Sequence, residues 1–146
     1  MLKQPRLLTP LVLAMGFIGA TLRYLLEVAL PSNGGFPFAT LLVNIFGCFL
    51  LEIVNQYVGR RLHLPAPVVA SLGLGLVGSF TTLSALSTES LSFLLAGSYG
   101  LFAGYLALTI VTTFIASLAG RAASQALALR RVRRKRARHQ ERRDVR

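Results

Sequence analysis

Material for acid–base, metal or disulfide chemistry is scarce in this chain: it holds five Asp and Glu, two His and one Cys among 146 residues. A single cysteine, Cys48, excludes an intramolecular disulfide and a cysteine metal cluster. His63 stands in a loop and His139 near the end of the chain, so no metal site can be argued from them. No nucleophile and base form a set that would argue for an enzyme. What fills the chain instead is apolar. Hydrophobic residues make up 53%, mean hydropathy is +0.60, and a formal charge of +11 is placed very unevenly. A soluble globular domain does not have this profile.

Four apolar stretches stand out, at about Leu11–Leu30, Phe38–Val58, Val68–Leu95 and Gly100–Leu127. Each reaches the roughly 20 residues that a helix needs to cross the hydrocarbon layer. Pro31–Pro37 is a turn-rich link, Gly59–Pro65 another, and Ala96-Gly97-Ser98 the tightest. The expected fold class is an all-α membrane protein of four transmembrane helices, with residues 1–129 as the membrane domain and 130–146 as a basic tail. A secretory signal peptide is the other reading of the N-terminus, since Lys3 and Arg6 precede an apolar run. That run is interrupted by Arg23 and Glu27, lacks a clear small-x-small cleavage site, and leads straight into another span.

Charge placement orients the chain. Lys3 and Arg6 precede the first helix, Arg60 and Arg61 separate the second from the third, and every other Lys or Arg except Arg23 falls from Arg121 onward. With four crossings these clusters share one side, while Pro31–Pro37 and Ala96–Ser98 carry no basic residue. The positive-inside rule then puts both termini in the cytoplasm, and the protein in the plasma or bacterial inner membrane as a multi-pass protein. The run Arg130–Arg138 has the cations to hold nucleic acid but no interleaved aromatic residues to stack on bases. Next to a membrane helix, such a run sets topology and touches anionic lipid headgroups, so membrane lipids, not nucleic acid, are the expected partner. Gly73-Leu74-Gly75-Leu76-Val77-Gly78 matches the dinucleotide-binding spacing, but it lacks the strand-turn-helix unit that gives that motif meaning. In a hydrophobic span these glycines are packing positions where helix backbones approach, as are Gly16, Gly19 and Ala20.

Polar residues within the spans carry the functional signal. Residues 78–89, Gly-Ser-Phe-Thr-Thr-Leu-Ser-Ala-Leu-Ser-Thr-Glu, set a hydroxyl-rich stretch in the middle of a membrane-length segment. Irregular or polar backbone survives at that depth only when it is buried in protein or lines a cavity that holds ions or water. Arg23 and Glu27 are four apart on one helix face, placed to pair. Thr40 and Asn44 share a face of the second helix, and Tyr105, Thr109 and Thr113 repeat every four residues on the fourth. A single hydroxyl of this kind usually bonds back to its own helix or to a neighbouring one. A set of donors without matching acidic acceptors suits a small anion, which must exchange its hydration for fixed hydrogen bonds.

Three segments resemble the CrcB or Fluc fluoride channels: Gly19-Ala20-Thr21-Leu22-Arg23-Tyr24, Thr40-Leu41-Leu42-Val43-Asn44-Ile45-Phe46-Gly47, and Gly78-Ser79-Phe80-Thr81-Thr82-Leu83-Ser84 with Glu89. They occur in that family's order and at its spacing. The resemblance implies an antiparallel dimer of four-helix subunits, a third helix broken near its centre, and two pores along the subunit interface. It also implies a structural Na+ at the dimer centre, held by main-chain carbonyls that map to Gly78 and Thr81. Asn44, Thr40, Tyr105, Thr109 and Thr113 would form the polar track for fluoride, and Arg23 and Glu89 vestibule or structural positions.

Two departures from the family pattern have consequences. The family's Thr-Thr-Phe-Ser-x-Phe motif places two phenylalanines in the pore, where their electropositive ring edges can face an anion. Here those positions are Leu83 and Leu86, which offer no ring quadrupole. Homodimeric members also need nearly balanced Lys and Arg on the two sides of the membrane, whereas this chain has its basic clusters on one side. The expected assembly is therefore with an oppositely oriented paralogous subunit that supplies the missing rings, the alternative being a second copy of the same chain. A small drug or cation exchanger would need a coupling carboxylate deep in a cavity, for which Glu27, four residues from Arg23, is the first-helix candidate. A non-conducting membrane subunit is the third reading.

Overall fold

In a membrane, a segment without water to bond must satisfy its own amides, and a helix does so internally. The computed structural model describes residues 5–31, 35–62 and 64–144, and the side chains within those ranges from 8 to 130 apart from Arg61. Lys3, part of the first loop (32–34) and His63 lie outside the described residues, as do the side chains of Arg6 and of the basic run beyond Arg130. Every regular element among the described residues is helical. Among the described residues four helices are long and apolar enough to cross a membrane: Leu8–Ala29, Phe38–Val58, Ala66–Leu95 and Tyr99–Arg130, here the first to the fourth.

The first helix is regular from Pro5 to Ala29. The second is α-helical over Phe38–Ile53 and then widens into a π-helical turn at Val54–Val58. The third begins after Pro65, tolerates Pro67 in its first turn where amides are unpaired anyway, and widens at Ser71–Val77. Helical geometry stops after the short stretch Gly78–Phe80. Thr81 (ψ 152°) and Thr82 (φ −143°, ψ 119°) are extended, and a second segment runs over Leu83–Leu95.

Ala96-Gly97-Ser98 reverses the chain as a compact cap. Gly97 takes φ +69°, a conformation that costs a glycine nothing, while its amide donates to the Leu94 carbonyl and that of Ser98 to Phe93. The fourth helix continues unbroken from Tyr99 to Asp144, through the boundary expected at residue 129. At ~1.5 Å per residue its 46 residues extend roughly 70 Å, about twice the hydrocarbon thickness.

The helices associate mainly as two pairs, the second against the fourth and the first against the N-terminal half of the third. Missing side chains set these contacts. A Cβ on Gly19 would run into the Leu76 carbonyl, one on Gly75 would stand 2.8 Å from the Val12 carbonyl, and one on Gly120 2.5 Å from that of Phe49. The expected packing role is clearest at Gly19 and Gly75; a Cβ on Gly16 would also stand 3.1 Å from Ser79 Oγ, and one on Gly73 3.8 Å from the Leu51 side chain. A Cβ on Gly78 would stand in ordinary contact, 3.5 Å from the Gly73 carbonyl. A small apolar cluster of Leu41, Leu86 and Tyr105, flanked by Phe36, Ile45, Phe93 and Leu106, holds the C-terminal half of the third helix against the second and fourth.

Candidate functional site at the helix break

Where the chain leaves the helix, the Thr81 amide still donates to the Val77 carbonyl at 3.0 Å, but the Thr82 amide loses its ladder partner at a depth where water is not at hand. The second helix supplies replacements. Asn44, buried opposite the break, donates from Nδ2 to the Thr82 carbonyl at 3.0 Å and accepts from the Thr82 amide on Oδ1 at 2.8 Å. One primary amide thus bonds both main-chain polar groups of a single residue, and this arrangement also fixes which way the Asn44 amide points. Gly47, one turn further along, lets the two elements meet, since a Cβ there would collide with the Thr81 methyl. Thr82 in turn caps the following helix: its hydroxyl accepts from the Ala85 amide at 3.1 Å and lies 3.1 Å from Ser84 Oγ.

These substitutions release particular carbonyls. The Thr82 amide goes to Asn44 instead of to Gly78, and the Ala85 amide to the Thr82 hydroxyl instead of to Thr81. The carbonyls of Gly78 and Thr81 therefore lose their helical partners, although Gly78 keeps a long 3.5 Å contact from the Thr81 hydroxyl. Carbonyl oxygens are hard ligands of the kind a hard cation takes. Among the described residues no group of three or more His, Cys, Asp or Glu could hold a metal ion.

Two turns past the break, Glu89 joins three helices. It accepts a 2.6 Å hydrogen bond from Thr40 Oγ1 on the second helix and another of 2.6 Å from the Tyr105 hydroxyl on the fourth. Tyr105 is fully buried, with Phe36 and Phe93 packed against it in T-shaped pairs at ring separations of 5.3 and 5.9 Å. The expected column on the fourth helix is therefore not a row of free donors. Tyr105 is committed to Glu89, and Thr113 bonds back to the Thr109 carbonyl at 2.7 Å. Thr109 is different: its hydroxyl oxygen is buried without a hydrogen-bond partner, as is that of Ser90.

The remaining expected residues stand apart. Leu86 is buried in the apolar cluster, whereas Leu83, three residues earlier, is 75% exposed and directed away from the subunit. Arg23 and Glu27 approach to 4.0 Å, the outer limit of an ion pair, on the first helix, and Arg23 Nε is buried without a hydrogen-bond partner among the described residues. Sequence reasoning missed Thr82 as the group clamped by Asn44, and missed Glu89 as the acceptor for two of the expected donors. The signal for Glu89 was present as a carboxylate in a span, a group that needs named partners.

Four spans, a broken third helix and polar side chains gathered at the break define a multi-pass membrane protein built around an intramembrane polar track. The chain belongs to the CrcB family: the model described as CrcB-like protein, Camphor Resistance (CrcB), matches residues 10–121 and so leaves out the basic tail. Similar curated proteins include the fluoride-specific ion channel FluC 1 of Latilactobacillus sakei subsp. sakei (strain 23K), 36% identical over 105 residues, which are 72% of this chain and 78% of that one. FluC 2 of Geobacillus kaustophilus (strain HTA426) is 39% identical over 112 residues, 75% of this chain and 87% of its own. FluC 1 of Desulfitobacterium hafniense (strain Y51) reaches 43% over 74 residues, 51% and 65% of the two chains. All three are named as ion channels, not as enzymes.

Proposed function

We propose that this chain is a subunit of a fluoride-selective channel that lowers cytoplasmic fluoride by passive export. The observation that carries the reading is the Asn44–Thr82 pairing at the helix break, in a chain whose relatives are named fluoride channels. The pairing uses one of the two N–H groups on Asn44, leaving the second as a fixed donor beside the break. Together with the unpartnered Thr109 hydroxyl it provides donors to an anion that has shed water, and a narrow path of such donors favours a small, strongly hydrated anion over chloride. Fluoride enters cells as its neutral weak acid and dissociates at cytoplasmic pH, so a selective leak suffices to lower the internal concentration. Neither ATP nor a coupled counter-ion is required.

The carbonyls of Gly78 and Thr81 would hold a Na+ ion, whose fixed positive charge lowers the energy of a nearby anion. Both termini are cytoplasmic in this reading, on the strength of the one-sided basic clusters. The same bias disfavours insertion in two orientations, so the dimer forms with an oppositely oriented paralogous subunit. The exposed Leu83 faces that partner, which provides the aromatic edges that Leu83 and Leu86 lack.

Fluoride efflux from liposomes, with chloride as the control, tests the proposal. The chain reconstituted with its closest paralogue from the same genome should pass fluoride and not chloride, and the chain alone should pass far less. Full flux from the chain alone would remove the paralogue requirement. No flux in either preparation would leave a non-conducting subunit as the better account.

A further inference from the structure

The second and fourth helices converge on a polar cavity of about 230 Å³ at the end of the molecule that carries the basic residues, away from the helix break. Gln56 reaches it from the last turns of the second helix, Arg60 from the short helical stretch Gly59–Arg61 that continues it, and Arg121, Ser124 and Gln125 from one face of the fourth. Every one of these side chains is a donor and none is a carboxylate. Glu52, one turn deeper on the second helix, does not line the cavity. Among the described residues neither Arg60 nor Arg121 forms an ion pair. Ser124 is 2% exposed, and its buried hydroxyl has no hydrogen-bond partner.

Two guanidinium groups, two amides and an unsatisfied hydroxyl match a tetrahedral oxyanion, whose several acceptor oxygens can take bidentate arginine bonds and still meet the smaller donors. Depth identifies its source. Roughly 20 helical residues cross the hydrocarbon, and counting from Tyr99 this places Arg121 just past the hydrocarbon boundary, level with the lipid phosphates. Basic pockets between transmembrane helices at this depth suit anionic headgroups. We propose that this cavity binds the phosphate of an anionic membrane lipid, bridging the second and fourth helices through Arg60 and Arg121. The site is independent of what the subunit conducts.

The test is a calorimetric titration of the full-length protein in neutral detergent with dihexanoyl-phosphatidylglycerol, and separately with inorganic phosphate. Saturable binding of the lipid is expected. Arg121→Gln should weaken it about tenfold, as for loss of a charge-assisted hydrogen bond. Arg130→Gln, at an exposed arginine outside the cavity, should change it by less than about twofold. Arg60→Gln, also at an exposed position, replaces Arg121→Gln should that variant fail to fold. Lipid binding that does not saturate, or that survives both cavity substitutions, would overturn the site. Saturable binding of inorganic phosphate without that of the lipid would overturn the lipid assignment.

Discussion

Before its break, the third helix meets its neighbour through absent side chains; after it, through polar ones. In the N-terminal half, Gly75 lies against the Val12 carbonyl, and Gly19 of the first helix against the Leu76 carbonyl. Lipid tails provide no hydrophobic drive for helices to associate, so close backbone approach and its dispersion energy hold this pair. In the C-terminal half, Thr82, Glu89 and their partners Asn44, Thr40 and Tyr105 form directed hydrogen bonds to two other helices. The first arrangement tolerates no added volume, and the second no lost partner. The proposed ion path belongs with the second, where polar groups are already fixed in place.

Substitutions in the two halves should therefore fail differently. The largest expected effect is on the packed half: Gly19→Val forces a side chain into the Leu76 carbonyl and should destabilise the fold by about 3 kcal/mol, visible as a lower midpoint of thermal unfolding in detergent. A midpoint equal to wild type would mean that the first and third helices can separate freely. Glu89→Gln keeps the shape of the polar half but replaces a carboxylate that accepts from both Thr40 and Tyr105. A loss of about 2 kcal/mol in the same assay is expected, and no loss would remove Glu89 as the joint between the helices. The smallest effect on stability belongs to Thr109→Val, which deletes a hydroxyl that has no partner. Unfolding should shift by less than about 1 kcal/mol while fluoride flux falls about tenfold, separating a donor kept for the ion from one kept for the fold. Unchanged flux would take Thr109 out of the path.

Much of this architecture was legible from span length and turn residues. The four helices follow from apolar runs, and the Ala96-Gly97-Ser98 reversal from a glycine at the position that needs positive φ. A break in the third helix was implied by the family resemblance, and it falls at Thr81 and Thr82, within the hydroxyl-rich segment. The widened turns at Val54–Val58 and Ser71–Val77 had no local signal, because their apolar sequences suit an α-helix equally well. Nor can periodicity tell a free donor from one already bonded. Thr40 and Tyr105 lie on the expected faces, yet a carboxylate 49 residues from one and 16 from the other takes both hydrogens. The divergence of Leu83 and Leu86 is likewise tertiary, decided by which neighbouring helix each one meets.

Asn44→Leu addresses the central claim, that a broken helix clamped by one amide forms the ion path. The variant leaves the Thr82 amide and carbonyl unpaired and removes the spare donor, while keeping a side chain of similar size. Measured by fluoride efflux from liposomes in a conducting preparation, with helix content and elution volume matching wild type, flux should drop to a tenth or less, about the loss of one hydrogen bond to a charged ion. Undiminished, fluoride-selective flux in that variant would show that the ion crosses elsewhere and would contradict the account.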